Sequence, residues 1–329
     1  MQHKTQKEEL AVPARMIPVP GHISPEAQAF LSNMGAMPRS AEPPPSDKQA
    51  WRKHLAEASG FITALIGEMA QNHPGEIVPH ALSAATLYEI TPHSFATRNA
   101  QRAIFYIHGG GYTTGGGLAA AHAALGLADL TQTRVFSVDY RMPPDHPFPA
   151  GLNDTLEAYR MVLERYKPAN IAVYGPSAGG GLAASFCLKA RDAGLPLPAA
   201  CVLATPECDL TESGDSFETN GIVDVVLKQR LSNSILLYAD GHDLKDPYLS
   251  ALFGDFSKGF PPTILTSGTR DLFLSNTVRM HRALRRAGIE AELHVFEAMP
   301  HGGFFGKAPE DQELLAEHVR FIDTHLGRG

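Results

Sequence analysis

A serine between glycines lies where an apolar run passes into a run of small residues, at positions 171–182. Residues 171–174 read I-A-V-Y and suit a buried strand, and residues 175–179 form G-x-S-x-G around Ser177. A turn this sharp from strand into helix needs neighbours that are almost bare backbone, which glycine supplies. Free amides at the helix N-terminus would face an oxyanion. The pattern predicts a nucleophilic serine for acyl transfer.

The same glycines also fit a loose dinucleotide-binding pattern. Gly179-Gly180-Gly181-x-x-Ala184 reads G-x-G-x-x-A. Its first glycine lies too far beyond the strand, and no acidic residue ends a following strand at the expected distance. We therefore favour the nucleophile interpretation.

A serine nucleophile needs a base, an acid that orients the base, and donors for the oxyanion. Asp271 follows a predicted strand at 263–266, and His301 follows another at 291–296. Loops at the carboxyl ends of parallel strands are where open α/β sheets place their sites. The order Ser177, Asp271, His301 is also the triad order of α/β-hydrolases. These three residues are the predicted catalytic triad.

Other residues compete for the acid and base roles. His301 is one of 15 histidines, and Asp209, Asp246 and Glu297 are alternative acids. The first two acids border or lie in a segment that interrupts the core, and Glu297 leaves little loop before His301. Position after a predicted strand favours Asp271 and His301.

A glycine-rich stretch follows an earlier predicted strand at 102–107. It reads His108-Gly-Gly-Gly-Tyr112. Glycines let backbone amides converge on one point without side chains in the way, and the loop at this place completes the oxyanion hole in α/β-hydrolases. We predict Gly110, Gly111 and Ala178 as the donors. His108 is then structural, because Ser177 already has His301 as a base.

The composition describes an ordinary globular chain that carries excess negative charge. The 329 residues are 43% hydrophobic, and the formal net charge is -7. This balance argues against nucleic acid or an anionic membrane as a partner and favours a small uncharged substrate. Without an apolar leader or a membrane-spanning run, the expected location is cytoplasmic. The cysteines Cys187, Cys201 and Cys208 lack metal-ligand spacing and are expected to be reduced, so no metal site is predicted.

Strands alternate with helices over most of the chain, which predicts an α/β fold with a mostly parallel central sheet and helices on both faces. Two segments break the alternation. Residues 1–78 have no strand pattern and are predicted as an N-terminal helical cap segment, with helices at 24–34 and 47–69. Residues 210–251 are predicted as an inserted cap segment with a helix at 223–238. Residues 79–209 and 252–329 form the two parts of the core.

Together these motifs resemble the bacterial hormone-sensitive-lipase-like esterases, a family of the α/β-hydrolase superfamily. Residues 139–150 and 246–250 are also similar to segments of that family, and the resemblance extends from about residue 102 to residue 301. It implies a cofactor-independent serine carboxylesterase that acts on a small-molecule ester or lactone with a short-to-medium acyl group. It further implies that the cap covers the acyl pocket and that a homodimer is possible. The implied roles are nucleophile for Ser177, base and then acid for His301, its partner for Asp271, and oxyanion hole for Gly110, Gly111 and Ala178.

The sequence departs from the family pattern in places and leaves other functions open. Pro176 stands where the family usually has Asp or Thr, and the acid motif Asp271-Leu-Phe-Leu lacks a second acidic residue. An acyltransferase or amidase would use the same triad. A non-catalytic ligand-binding member of the fold, such as the plant gibberellin receptor, is the third possibility, although His301 is present here.

Overall fold

The apolar runs form one eight-stranded sheet in a computed structural model that describes residues 10, 12–14, 16–35 and 41–327. In chain order the strands are β1 (Gly75–Ala81), β2 (Thr86–Pro92), β3 (Ala103–Ile107), β4 (Arg134–Asp139), β5 (Ile171–Pro176), β6 (Ala200–Ala204), β7 (Thr263–Gly268) and β8 (Ala291–Phe296). Across the sheet their order is β1-β2-β4-β3-β5-β6-β7-β8. The β1–β2 and β2–β4 pairs are antiparallel, and all pairs from β4 to β8 are parallel. The predicted mostly parallel sheet is confirmed.

Helices connect the strands and cover both faces of the sheet. In chain order they are α1 (Pro25–Gly35), α2 (Lys48–Ala70), α3 (Leu118–Thr131), α4 (Ala150–Leu163), α5 (Ala178–Asp192), α6 (Ser216–Thr219), α7 (Ser232–Ala239), α8 (Leu274–Arg286) and α9 (Pro309–His325). Apolar residues of α4, α5 and α8 pack in the core on one face, and those of α3 and α9 pack on the other. None of the helices in the described ranges has the length and apolar character needed to cross a bilayer.

Every residue of the central strand β3 is buried. Phe105 and Ile107 belong to the core with α4, α5 and α8, whereas Ile104 and Tyr106 belong to the core with α3 and α9. Successive side chains of a strand point to opposite faces, so a strand covered on both sides must be apolar throughout. This explains why the core strands were predictable as uninterrupted apolar runs.

The sheet begins earlier than predicted. Residues 1–78 were predicted to contain no strand, but Gly75–Ala81 is strand β1, and residues 82–85 form the turn between β1 and β2. Strand β1 lies at the sheet edge, contains Pro79 and is largely half-buried or exposed. Edge strands tolerate proline and polar residues, so they lack the apolar run that marks a central strand.

The predicted helix at 223–238 was wrong over its first half, because α7 begins only at Ser232. Ahead of it, the Asp224 carboxylate accepts hydrogen bonds from the amides of Val226 (2.9 Å) and Leu227 (3.0 Å). Such local side-chain bonds compete with helical bonds and hold the backbone in a turn. In contrast, the helices predicted at 24–34 and 47–69 correspond to α1 and α2, and Asp47 caps α2 through the amide of Ala50.

The N-terminal segment contacts both the inserted segment and the core. The Lys228 ammonium donates to the carbonyl of Met34 at 2.6 Å, and the amide of Ser234 donates to Glu42 at 3.1 Å. Helix α2 instead packs against α3. Within the described part of residues 1–78, Met34 and Glu42 therefore contact the inserted segment, while α2 packs against a core helix.

Candidate active site

Ser177 occupies the turn between β5 and α5 and has a φ of 56°, a left-handed conformation that a non-glycine residue rarely adopts. The turn is possible because the residues two positions before and after Ser177, Gly175 and Gly179, have no side chain. A β-carbon on Gly175 would lie 2.2 Å from the carbonyl oxygen of Gly179, and one on Gly179 would lie 2.1 Å from that of Ile107. The glycines after Ser177 thus lie inside α5 and pack against backbone, rather than forming a phosphate-binding loop before the helix.

The structure brings the three predicted triad residues together. His301 Nε2 lies 2.8 Å from Ser177 Oγ, and His301 Nδ1 lies 2.9 Å from Asp271 Oδ1. Because a carboxylate can only accept hydrogen bonds, neutral His301 carries its proton on Nδ1, where it is donated to Asp271. Nε2 is then free of a proton and can accept the hydrogen bond of the Ser177 hydroxyl. The imidazole is therefore oriented as a base toward Ser177.

Asp271 is fully buried and held by further donors. Its Oδ2 accepts from the Ser267 hydroxyl at 2.6 Å, and its Oδ1 accepts from the amide of Phe273 at 2.9 Å. The ring of Phe273 also packs edge-on against His301, with the ring centroids 4.8 Å apart. These contacts leave the carboxylate one orientation, toward His301.

The alternative acids have other partners. Asp209 bonds to Thr211 and Ser213 and pairs with Arg279 at 2.5 Å. Asp246 accepts from the amide of Tyr248 in its own turn. Glu297 is largely exposed and lies 3.9 Å from His22. Geometry thus selects Asp271 among the four acids considered.

The electrostatic surroundings favour a protonated His301. Burial lowers the pKa of His301, but the carboxylates of Asp271 and Asp224 outweigh burial and raise it above its ordinary value. An imidazolium formed at this site is therefore stabilised by two negative groups. This is the charge that a general base acquires during serine attack.

The predicted oxyanion loop lies directly against Ser177. A β-carbon on Gly109 would lie 3.3 Å from the β-carbon of Ser177, and one on Gly110 would lie 2.2 Å from the carbonyl oxygen of Thr114. Gly110 and Gly111 both have positive φ. Ala178 is the first residue of α5, so its amide has no acceptor within the helix. The three predicted donors thus belong to two segments that meet beside the serine.

His108 lies behind this loop as a structural residue. Its Nδ1 lies 2.8 Å from the carbonyl oxygen of Gly109, and its ring stacks on Tyr140 with the centroids 4.1 Å apart. Burial lowers the pKa of His108, which keeps the ring neutral. The ring therefore supports the loop from behind.

The sequence did not predict the residues that hold the two loops of the acid and the base. These are the acid loop, residues 269–273 between β7 and α8, and the histidine loop, residues 297–308 between β8 and α9. Ser267, Asn220 and Asp224 all bond to Asp271 or to its neighbours. Asn220 and Asp224 come from the segment predicted as cap, some fifty residues from Asp271 in the chain. The spacing of residues along the chain carries no sign of such a contact.

Within the described ranges, one cluster contains three side chains of the kinds that bind metal ions. Ligand atoms of Glu292, His294 and Glu317 lie within 4.8 Å of one another on β8 and α9. Arg320 forms ion pairs with both carboxylates. The guanidinium therefore already supplies the positive charge at this place.

Comparison with known proteins agrees with the geometry. The family described as alpha/beta hydrolase fold matches residues 104–305. An acetyl-hydrolase of Streptomyces hygroscopicus is 31% identical over 260 residues, covering 78% of this chain and 85% of the relative. An esterase of Acinetobacter venetianus is 30% identical over 261 residues, covering 77% and 84%.

Solved structures extend the similarity to nearly the whole chain. The crystal structure of one esterase superimposes with a TM-score of 0.87 and 32% identity, covering 97% of this chain and 99% of the other. An esterase from the bacterial hormone-sensitive lipase family has a TM-score of 0.79 and 28% identity, covering 92% and 99%. The predicted resemblance is confirmed, and the chain belongs to the alpha/beta hydrolase fold family, among relatives of the bacterial hormone-sensitive-lipase-like esterases.

Proposed function

We propose that this protein is a serine carboxylesterase that works through an acyl-enzyme on Ser177. The observation that carries the proposal is the position of His301, within hydrogen-bond distance of both Ser177 Oγ and Asp271 Oδ1. This is the arrangement that lets a hydroxyl lose its proton as it attacks a carbonyl carbon. The names of the relatives, esterase and acetyl-hydrolase, support the same reaction.

In the proposed reaction, Ser177 Oγ attacks the ester carbonyl while His301 Nε2 takes its proton. The tetrahedral oxyanion accepts hydrogen bonds from the amides of Gly110, Gly111 and Ala178. His301 then returns the proton to the departing alcohol, and the ester bond breaks. A water molecule then attacks the acyl-enzyme while His301 takes its proton. The bond between the acyl carbon and Ser177 Oγ breaks, His301 returns the proton to Oγ, and the carboxylic acid is released.

We further propose that the predicted cap segments, residues 1–78 and 210–251, limit the size of the acyl group. Leu231 of the inserted segment reaches the oxyanion loop, since its Cδ1 would lie 3.6 Å from a β-carbon on Gly111. A bulky apolar side chain at this distance restricts the space beside the reacting carbonyl. The name of the acetyl-hydrolase relative supports a short acyl group. An ester or lactone with a short-to-medium acyl group is the substrate class that we propose.

A separate cavity of about 590 Å³ lies where the N-terminal and inserted segments meet. Its lining includes Glu42, Phe217, Arg230 and Leu272, but Ser177 is not part of it. Leu272 directly follows Asp271, so the cavity lies beside the acid loop. The ester carbonyl must instead occupy the space between Ser177 and the glycine loop.

The proposal is tested by replacing the nucleophile. We expect Ser177→Ala to abolish hydrolysis of p-nitrophenyl acetate and butyrate and to prevent labelling by a fluorophosphonate probe. Ser185→Ala is the matched control, because Ser185 is a buried serine of α5, the helix that directly follows Ser177. Hydrolysis that persists in Ser177→Ala at the rate of the control would contradict the assignment.

An acyltransferase or amidase would share the acyl-enzyme and differ in the group that accepts or leaves. Product analysis with added alcohol separates hydrolysis from transfer, and matched amides test the leaving group. Fluorophosphonate labelling separates an enzyme from a ligand-binding member of the fold. A cytoplasmic location and a homodimer stay predictions from the sequence and family, to be tested by fractionation and by light scattering.

A further inference from the structure

We propose that Asp224 is a positioning residue that holds the acid loop and the histidine loop of the triad in register. The inference rests on the proposed function and names a residue of the inserted segment that this function requires. Asp224 lies far from Asp271 and His301 in the chain, and its side chain is buried, with only 3% of the residue exposed. An ionisable side chain is rarely buried unless its bonds repay the loss of water.

The Asp224 carboxylate contacts three separate stretches of backbone. It accepts from the amides of Val226 and Leu227 in its own turn. Its Oδ2 accepts from the amide of Leu272 at 2.8 Å, directly after the triad acid. The amide of His301 lies 3.3 Å from Oδ2 and 3.4 Å from Oδ1. One side chain thus joins the two loops that must bring Asp271 and His301 to 2.9 Å.

Two other residues of the inserted segment also form hydrogen bonds to the acid loop. The Asn220 side-chain amide donates to the carbonyl of Asp271 at 2.8 Å, and the Ser216 hydroxyl donates to the carbonyl of Leu272 at 2.7 Å. Asn220 holds only the acid loop, whereas Asp224 holds both loops. The inserted segment therefore positions the two loops that carry Asp271 and His301, in addition to its proposed role of covering the acyl pocket.

Asp224 also acts on His301 by charge. Burial raises the pKa of Asp224 to about 6, with His301 opposing this and Asp271 adding to it. In turn, the Asp224 carboxylate raises the pKa of His301, together with Asp271. Loss of the Asp224 charge should therefore lower the pKa of His301. That effect distinguishes a positioning role from simple loss of stability.

The test is Asp224→Asn in the full chain, assayed with p-nitrophenyl acetate across a pH series. We expect kcat to fall about 10- to 100-fold, because small displacements of a catalytic group have effects of this size. KM should change less than kcat, since the substrate contacts remain. The acidic limb of kcat/KM should move to lower pH, because neutral His301 then persists to lower pH.

Asp209→Asn is the matched control. Asp209 is also a fully buried aspartate after β6, but it pairs with Arg279 of α8 rather than with the catalytic loops. We expect this control to lose thermal stability while keeping the kcat and acidic limb of the wild type. Asp224→Ser, which supplies one oxygen in place of two, is the second variant if Asp224→Asn does not fold, and it should show the same kcat loss and limb shift.

The outcomes separate the two proposals. If the wild type hydrolyses esters and the Asp224 variants match the Asp209→Asn control in kcat and in pH profile, the positioning role is wrong and the esterase assignment stands. If instead wild type and Ser177→Ala hydrolyse esters equally slowly, the proposed function itself fails. Loss of kcat with an unmoved acidic limb of kcat/KM would also contradict the proposed role of Asp224.

Discussion

At the scale of single residues, the proposed chemistry depends on the protonation of one imidazole. Neutral His301 can accept the proton of Ser177, and protonated His301 cannot. Burial alone would keep the ring neutral, but the carboxylates of Asp271 and Asp224 have the larger effect and raise the pKa of His301. The acid that orients the base therefore also narrows the pH range in which the base works.

The pH profile follows from the sign of this shift. We expect kcat/KM to rise with pH through the raised pKa of His301, and activity to be lost as pH falls through it. Asp271→Asn should lower kcat by roughly 10⁴-fold, because the amide no longer enforces the correct tautomer. Its acidic limb should also move to lower pH. Stopped-flow or plate kinetics between pH 5 and 9 would measure both, and a limb that does not move would contradict this electrostatic account.

At the scale of elements, the site depends on close approaches of backbone that only glycine allows. A β-carbon on Gly179 would lie 2.1 Å from the carbonyl oxygen of Ile107, where β3 ends. One on Gly268 would lie 1.9 Å from the carbonyl oxygen of Met299, in the loop that carries His301. Because Gly179 and Gly268 have no side chain, the serine turn can pack against the oxyanion loop and the acid loop can pack against the histidine loop.

We expect Gly179→Ala to be strongly destabilising, because the backbone of Ile107 and His108 would have to move away from α5 to admit the methyl group. The loss should exceed the roughly 1–3 kcal/mol typical of overpacking, since the clash is with backbone rather than with a mobile side chain. Gly60→Ala is the control, since a β-carbon there meets nothing within 4 Å. In helix α2 it should stabilise by about 0.5–1 kcal/mol. Urea denaturation of both variants measures the difference, and equal effects would contradict the packing argument.

At the scale of the whole molecule, the N-terminal segment is docked on the end of the chain that carries His301. The rings of Phe30 and Phe304 meet edge to face with centroids 5.6 Å apart, and Phe30 makes a similar contact with Phe305. The Ser24 hydroxyl donates to Glu310 at the start of α9. Helix α1 thus covers an apolar cluster just beyond the catalytic loop.

Removing the central ring of this contact tests the docking. We expect Phe30→Ala to reduce the free energy of unfolding by about 3–5 kcal/mol, the range for deleting a buried aromatic side chain. Phe253→Ala is the control, because Phe253 is 38% exposed. Differential scanning calorimetry should show a clear drop in Tm for the first variant and a small one for the second. Similar drops in both would mean that α1 contributes little to the fold.

Much of the fold and of the site follows from local patterns. The core strands were predictable because burial on both faces demands apolar runs, and the triad residues because each follows such a strand. Strand β1 and the turn around Asp224 were not predictable. An edge strand is defined by its partner, and the turn at Asp224 is held by amides that belong partly to the acid loop.

The sequence by itself determined which groups could react and in what order they occur: a serine in a glycine turn, an aspartate, a histidine, and a glycine loop. Only the tertiary structure decided that His301 reaches both Ser177 and Asp271, that Asp209, Asp246 and Glu297 have other partners, and that Asp224 joins the two catalytic loops. The physical reason is the distance along the chain between the residues that interact. Backbone conformation and strand burial depend on neighbours in the chain, whereas hydrogen bonds between loops far apart in sequence exist only after the sheet has brought the strand ends together.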